Sequence, residues 1–142
     1  MNATRKAAGY TRGAGAYARV GVESGVLSAS PHQLITLLFE GAGSAIRTAR
    51  LHLDNGQMAE KGMAISKALD IVNNGLLAAL DRERGGDIAE RLGALYDYVA
   101  RLLLKANLNN DPACLDEATR LLAEIGSAWR QIDPQGKRGG DD

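Results

Sequence analysis

Two histidines and one cysteine are the side chains in this sequence best suited to metal or covalent chemistry: His32, His52 and Cys114. A di-iron site in a helical bundle needs a glutamate three residues before each histidine, but alanine occupies both positions. A zinc site needs four ligands, which one cysteine and two distant histidines do not supply. No base is evident beside Cys114, so we expect an inert thiol. The sequence therefore predicts no metal site, no cofactor and no catalytic residue.

His52 leaves one chemical alternative open, that of a histidine phosphotransfer domain. Such domains resemble the pattern His-x-x-Lys-Gly, whereas this chain has His52-Leu53-Asp54-Asn55-Gly56, without the lysine. A histidine near the C-terminus of a helix also interacts favourably with the helix dipole. That interaction explains the position without phosphate chemistry, so we favour a structural role for His52.

The charge balance argues against nucleic acid as a partner. Lysine plus arginine and aspartate plus glutamate both number 17, so the formal net charge is zero. Nucleic-acid binding draws much of its affinity from a basic surplus. The 142 residues suffice for one domain with a hydrophobic core. No apolar run resembles a signal peptide or a membrane span, so we expect a cytoplasmic (cytosolic) protein without membrane insertion.

Capping signals at the start of the folded region predict two long helices. Ser30 and Pro31 begin the first helix, and Gln33 is in place to complete a capping box. Asn55-Gly56 ends this helix, because glycine can adopt the left-handed conformation that often follows a helix. A second helix is predicted over Gln57–Arg84, where apolar residues recur at steps of three and four.

The same signals predict two further helices. Gly85-Gly86 separates the second helix from the third, for which Asp87 is the predicted N-cap. Asn107–Asn110 form the predicted turn after the third helix. Asp111-Pro112 opens the fourth helix, and Pro134 stops it.

These patterns predict an all-α protein in three parts. We expect a flexible N-terminal arm with a short helix over residues 1–29, a four-helix bundle over residues 30–133 and a disordered tail over residues 134–142. Glycines recur along the arm and lower its helix propensity. Four long helices joined by short turns should pack as antiparallel neighbours.

Short motifs follow one another along most of the chain, from about Gly15 to Ile132. They are Ala16-Tyr17-Ala18, Ser30-Pro31-His32-Gln33-Leu34-Ile35, Leu38-Phe39-Glu40-Gly41-Ala42, Lys61-Gly62, Ser66-Lys67-Ala68, Leu80-Asp81, Gly85-Gly86-Asp87-Ile88-Ala89, Leu95-Tyr96-Asp97-Tyr98, Ala106-Asn107-Leu108, Asn110-Asp111 and Ala128-Trp129. Their order and spacing are more specific than any one of them, and together they resemble the FliS family of flagellar export chaperones.

The resemblance implies a chaperone without enzymatic activity. Such a protein binds the C-terminal segment of flagellin, which is disordered before assembly, and prevents premature polymerisation. It then delivers flagellin to the flagellar export gate of the type III secretion system. A segment that folds on binding needs a long apolar contact to offset its lost conformational entropy. Our candidate contact residues for this partner are Tyr17, Val20, Leu34, Leu38, Leu95, Tyr98, Leu102 and Asn107.

The residues leave a second interpretation open, that of a structural helical protein that forms a homodimer. Three predicted helices carry more apolar side chains than the core needs, and periodicity does not distinguish a dimer surface from a groove for a partner. The alternative role of Tyr98 is to fix a helix interface, and that of Asn107 is to cap a helix end. The four candidate leucines are also candidates for the core.

Overall fold

The computed structural model describes residues 29–132, and its regular elements are helical. No strand occurs within this range, which confirms the predicted all-α class. Of the predicted N-terminal arm only Ala29 is described, and the predicted tail lies outside the described residues. The elements are α1 (Pro31–Asp54), α2 (Met58–Asp70), a π-helical segment (Ile71–Leu77) that directly follows α2, α3 (Arg82–Asn109) and α4 (Pro112–Gln131).

Local hydrogen bonds and one glycine determine where α1 begins and ends. The Gln33 backbone N–H donates to the Ser30 hydroxyl at 3.1 Å, and the Ser30 N–H donates to the Gln33 side chain at 2.8 Å. These bonds satisfy N–H groups that have no partner inside the helix. After the helix, Gly56 has φ +72°, a conformation that glycine tolerates. Both predictions for this helix are confirmed.

The predicted second helix, Gln57–Arg84, is wrong in its C-terminal part. Regular α-helix ends at Asp70, and the π-helical segment that follows ends at Leu77. Positions 73–75 are asparagine, asparagine and glycine, which have low helix propensity. They therefore make a regular α-helix less favourable in the segment that is π-helical. The chain therefore leaves the helix several residues earlier than the apolar pattern indicates.

A short helical turn at the start of α3 precedes Asp87, the predicted N-cap, and was not predicted. The observed N-cap is Asp81, whose carboxylate accepts a hydrogen bond from the Arg84 backbone N–H at 3.1 Å. Gly86 then interrupts the helix with φ 51° and ψ −128°, a conformation that residues with a Cβ rarely adopt. Gly86 therefore separates a short helical turn, residues 82–85, from the long helix that follows it, which confirms the predicted break at Gly85-Gly86.

Replacing Gly86 by alanine should lower the free energy of unfolding by about 1–2 kcal/mol, because a Cβ is strained at this positive φ. Denaturant unfolding followed by circular dichroism measures the change. Gly62→Ala in α2 is the matched control, since its Cβ would make only an ordinary contact, 3.8 Å from Asn107 Oδ1. Equal stability of the two variants would contradict the assigned strain.

The turn between α3 and α4 is shorter than the predicted Asn107–Asn110. The helix continues to Asn109, and only Asn110 has the left-handed conformation, with φ 52°. The Asp111 carboxylate then accepts a hydrogen bond from the Ala113 N–H at 3.0 Å. This bond confirms the predicted capping role of Asp111 at the start of α4.

The hydrophobic core receives side chains from all four α-helices. Ile46, Ile65, Leu103 and Leu115 represent one helix each, and all four are fully buried. α1 and α4 approach closely at Gly126, where a Cβ would lie 3.2 Å from an aromatic ring of α1. The absence of a side chain at this position therefore allows the two helices to pack.

A reciprocal contact joins the first turn of α1 to the last turn of α4. The His32 Nε2–H donates to the Trp129 carbonyl at 2.8 Å, and the Trp129 Nε1–H donates to the His32 carbonyl at 3.0 Å. The two rings also stack, with their centroids 4.7 Å apart. Toward the other end of the helix pair, Arg50 Nε donates to Asp116 Oδ1 at 2.9 Å. His32 thus serves to join two helices.

Candidate partner-binding surface

An apolar cavity of about 370 Å³ opens beside the start of α3. Its charged side chains are Asp81 and Arg84, and the Arg84 side chain is 92% exposed. The other side chains that line it are Ile35, Leu76, Ala79, Leu80, Ile88, Ala89, Leu92, Tyr96 and Trp129. A cavity with this composition suits an apolar side chain or peptide segment.

The α3 wall of this cavity continues as an apolar strip along the helix. Ile88 and Leu92 line the cavity, and their spacing of four residues places them on one face. Leu95 follows at a spacing of three on the same face and is 37% exposed. Ile88 itself is 69% exposed, although it is large and apolar. The α3 strip (Ile88, Leu92 and Leu95) therefore extends the cavity into a longer surface.

The structure places several predicted contact residues away from this cavity. Leu38 and Leu102 are buried in the core, so their side chains present little surface to a partner. Leu34 is half-buried and precedes a cavity residue in α1. Tyr17 and Val20 lie outside the described residues.

Tyr98 contacts α4 and also keeps an exposed ring. Its hydroxyl donates a hydrogen bond to Glu117 Oε2 at 2.6 Å. This bond, together with partial burial, raises the pKa of Tyr98. Since 38% of the residue remains exposed, the ring is accessible to a partner while the hydroxyl holds α4.

Asn107 is held by a buried lysine that the sequence interpretation missed. Lys61 is 5% exposed, and its ammonium group donates to the Asn107 carbonyl at 3.0 Å and to Asn110 Oδ1 at 2.6 Å. A cation is favourable at the C-terminus of a helix, where carbonyl groups lack partners. Lys61 follows Met58 by three residues and precedes Ile65 by four, so it lies within the apolar stripe of α2. This spacing is the sequence feature that could have predicted a buried lysine.

A second cavity, of about 310 Å³, lies between α1 and α2. Its lining includes His52, Glu60 and Lys67, so it is more polar than the first, and Met63 at its edge is 73% exposed. The His52 Nδ1–H donates to Gln57 Oε1 at 2.7 Å. This bond at the end of α1 is consistent with a structural role for His52.

Cys114 is a poor nucleophile in this environment. Burial, followed by a hydrogen bond from the thiol to Asp111 Oδ2 at 3.4 Å, raises its pKa and so lowers the thiolate fraction. Between residues 29 and 132, no three His, Cys, Asp or Glu side chains are grouped so as to hold a metal ion. Within the same range, none of the helices combines the length and the apolar character that crossing a membrane requires.

An apolar groove on a protein surface is one of the sites at which an amphipathic peptide segment of a partner can bind. Comparison with known proteins narrows this class. The family model described as "Flagellar protein FliS" matches residues 13–136. The chain belongs to the FliS family, as its motifs predicted.

Several relatives are named flagellar secretion chaperones. The chain is 56% identical to FliS of Salmonella typhimurium over 120 residues, and this alignment covers 84% of this chain and 89% of the relative. It is 43% identical to FliS of Escherichia coli, with coverage of 84% and 88%. It is also 43% identical to FliSB of Pseudomonas aeruginosa, with coverage of 82% and 91%. The family is one of secretion chaperones and not of enzymes, and its partners belong to flagellar export.

Proposed function

We propose that this protein is a cytosolic export chaperone for flagellin. It binds the C-terminal segment of flagellin, which is disordered before assembly, and prevents premature polymerisation. It then delivers flagellin to the export gate of the flagellar type III secretion system. Membership of a secretion-chaperone family supports this function, and the open apolar cavity beside α3 is the structural observation that carries it.

The energetics of binding a disordered segment favour this surface as the docking site. Ordering such a segment costs conformational entropy, so the contact must bury enough apolar area to offset the cost. The cavity and the α3 strip offer exposed apolar side chains in one continuous stretch. We therefore place flagellin in the cavity and along the α3 strip, and Tyr98 one turn beyond Leu95 extends this contact.

The antiparallel order of the bundle is part of the proposal. The contact between His32 and Trp129 and the bond between Arg50 and Asp116 support it for α1 and α4, because each contact joins opposite helix ends. Neighbouring helices in this order leave grooves that run along the bundle. The roles of Tyr17 and the rest of the N-terminal arm stay predictions.

Titration of the full-length protein with the C-terminal peptide of flagellin tests the proposal. We expect a dissociation constant in the micromolar range or below, and a negative heat-capacity change because apolar surface is buried. Calorimetry at several temperatures measures both quantities. A peptide of the same composition in scrambled order is the control.

Absence of binding at tens of micromolar peptide would contradict this function. Sedimentation of the protein alone supplies a second readout, since self-association without peptide binding would favour the homodimer interpretation instead. Co-purification with full-length flagellin, lost when the C-terminal segment of flagellin is deleted, would locate the recognised part of the partner.

A further inference from the structure

We propose that the Tyr96 hydroxyl recognises a carbonyl oxygen of the segment that enters the cavity beside α3. This inference rests on the proposed function and adds a polar requirement to an otherwise apolar site. The bound segment would have to present a hydrogen-bond acceptor at a defined depth. The cavity would thus select its ligand by position as well as by hydrophobicity.

Tyr96 is buried, while its hydroxyl has no hydrogen-bond partner among residues 29–132. The residue is only 3% exposed, and its ring packs against Phe39 with the centroids 6.2 Å apart. Its hydroxyl makes no hydrogen bond to any residue of the described range. Buried hydroxyl groups normally have a partner, because burying one without a hydrogen bond is costly.

The Tyr96 hydroxyl is not fully shielded from solvent, and we infer that it faces the cavity. In the described range, every side-chain nitrogen or oxygen that is fully shielded from solvent has a hydrogen-bond partner. The Tyr96 hydroxyl has none, so it must keep the small exposure that the residue retains. The cavity is the open space that Tyr96 lines. The hydroxyl is therefore an available polar group on an apolar wall.

The chemistry of the group determines what it binds. Burial raises the pKa of Tyr96, so the phenol stays protonated at neutral pH and can donate its proton. The natural acceptor in a peptide is a carbonyl oxygen. Carbonyl groups inside a helix are already bonded, whereas those of its last turn are not. The acceptor is thus a carbonyl at a helix end, in an extended stretch or on an Asn or Gln side chain.

The test compares the wild-type protein with Tyr96→Phe in titrations with the flagellin C-terminal peptide. Phenylalanine keeps the ring and removes only the hydroxyl. We expect binding to weaken about fivefold to tenfold, the usual effect of losing one hydrogen bond in an apolar site. The melting temperature should stay nearly the same, because the hydroxyl has no hydrogen-bond partner among residues 29–132 of the free protein. Ser66→Ala, which removes an exposed hydroxyl from α2, should bind like the wild type.

A second measurement uses the wild-type protein with 13C at the ζ carbon of tyrosine. In mixed H2O and D2O, a hydroxyl protected by a hydrogen bond gives two resolved signals, and Tyr96→Phe identifies the signals of Tyr96. We expect the splitting only with peptide present. Equal peptide affinity of Tyr96→Phe and the wild type, or a complex without the splitting, would overturn the role of Tyr96. Failure of the wild type to bind the peptide would overturn the proposed function itself.

Discussion

Replacing Lys61 by alanine should lower the free energy of unfolding by about 3 kcal/mol, because the change removes two hydrogen bonds from a charged donor and leaves a void. Lys61 is 5% exposed, and its ammonium group holds the Asn107 carbonyl and the Asn110 side chain. Both acceptors would lose their donor at the end of α3. Chemical denaturation measures the loss, and we expect the free energy of unfolding to depend on denaturant concentration with the same slope in both proteins.

Two matched variants separate the possible causes of this loss. Lys67→Ala removes an exposed lysine from the same helix and should change stability by less than about 0.5 kcal/mol. Lys61→Met keeps the apolar stem and removes the donor, so we expect a loss between those of the two alanine variants. If Lys61→Ala were as stable as Lys67→Ala, the ammonium group would not be holding α3.

Replacing Ile88 by glutamate should weaken binding of the flagellin C-terminal peptide about 100-fold, which corresponds to about 2.7 kcal/mol. An isoleucine that becomes buried on binding contributes about 1.5–3 kcal/mol, and a carboxylate at the same place must also be desolvated. Because Ile88 is 69% exposed in the free protein, the substitution should change the stability of the protein little. Calorimetric titration and thermal unfolding measure the two effects.

Met63→Glu is the control for this experiment. Met63 has a similar exposure, 73%, but it borders the cavity between α1 and α2. Met63→Glu introduces the same charge at the cavity between α1 and α2, away from the proposed site, so peptide binding should be unchanged. The opposite result, with Met63→Glu defective and Ile88→Glu normal, would move the flagellin site to the α1–α2 groove.

The features that sequence reasoning predicted correctly depend on residues close together in the chain. The Ser30–Gln33 capping box and the cap at Asp111 each involve bonds across two or three residues. Such hydrogen bonds can be predicted from the sequence because the side chain and the N–H group that it satisfies are close together in the chain. The break at Gly85-Gly86 was likewise predicted, whereas the short turn that Asp81 caps before it was missed.

The candidate site was less accessible to sequence reasoning because it depends on packing between distant segments. Tyr96 and Tyr98 are only two residues apart in α3, yet Tyr96 is 3% exposed and Tyr98 is 38% exposed. Only the positions of the neighbouring helices decide which tyrosine is covered. The cavity likewise requires Ile35 and Trp129 from opposite ends of the described chain.

The contact between His32 and Trp129 has a consequence for protein synthesis. Trp129 leaves the ribosome 97 residues after His32, an interval on the order of 5–20 s at ordinary rates of translation. Until then the cavity lacks one of its walls and the start of α1 lacks its stacking partner. The cavity is therefore complete only after α4 has been translated.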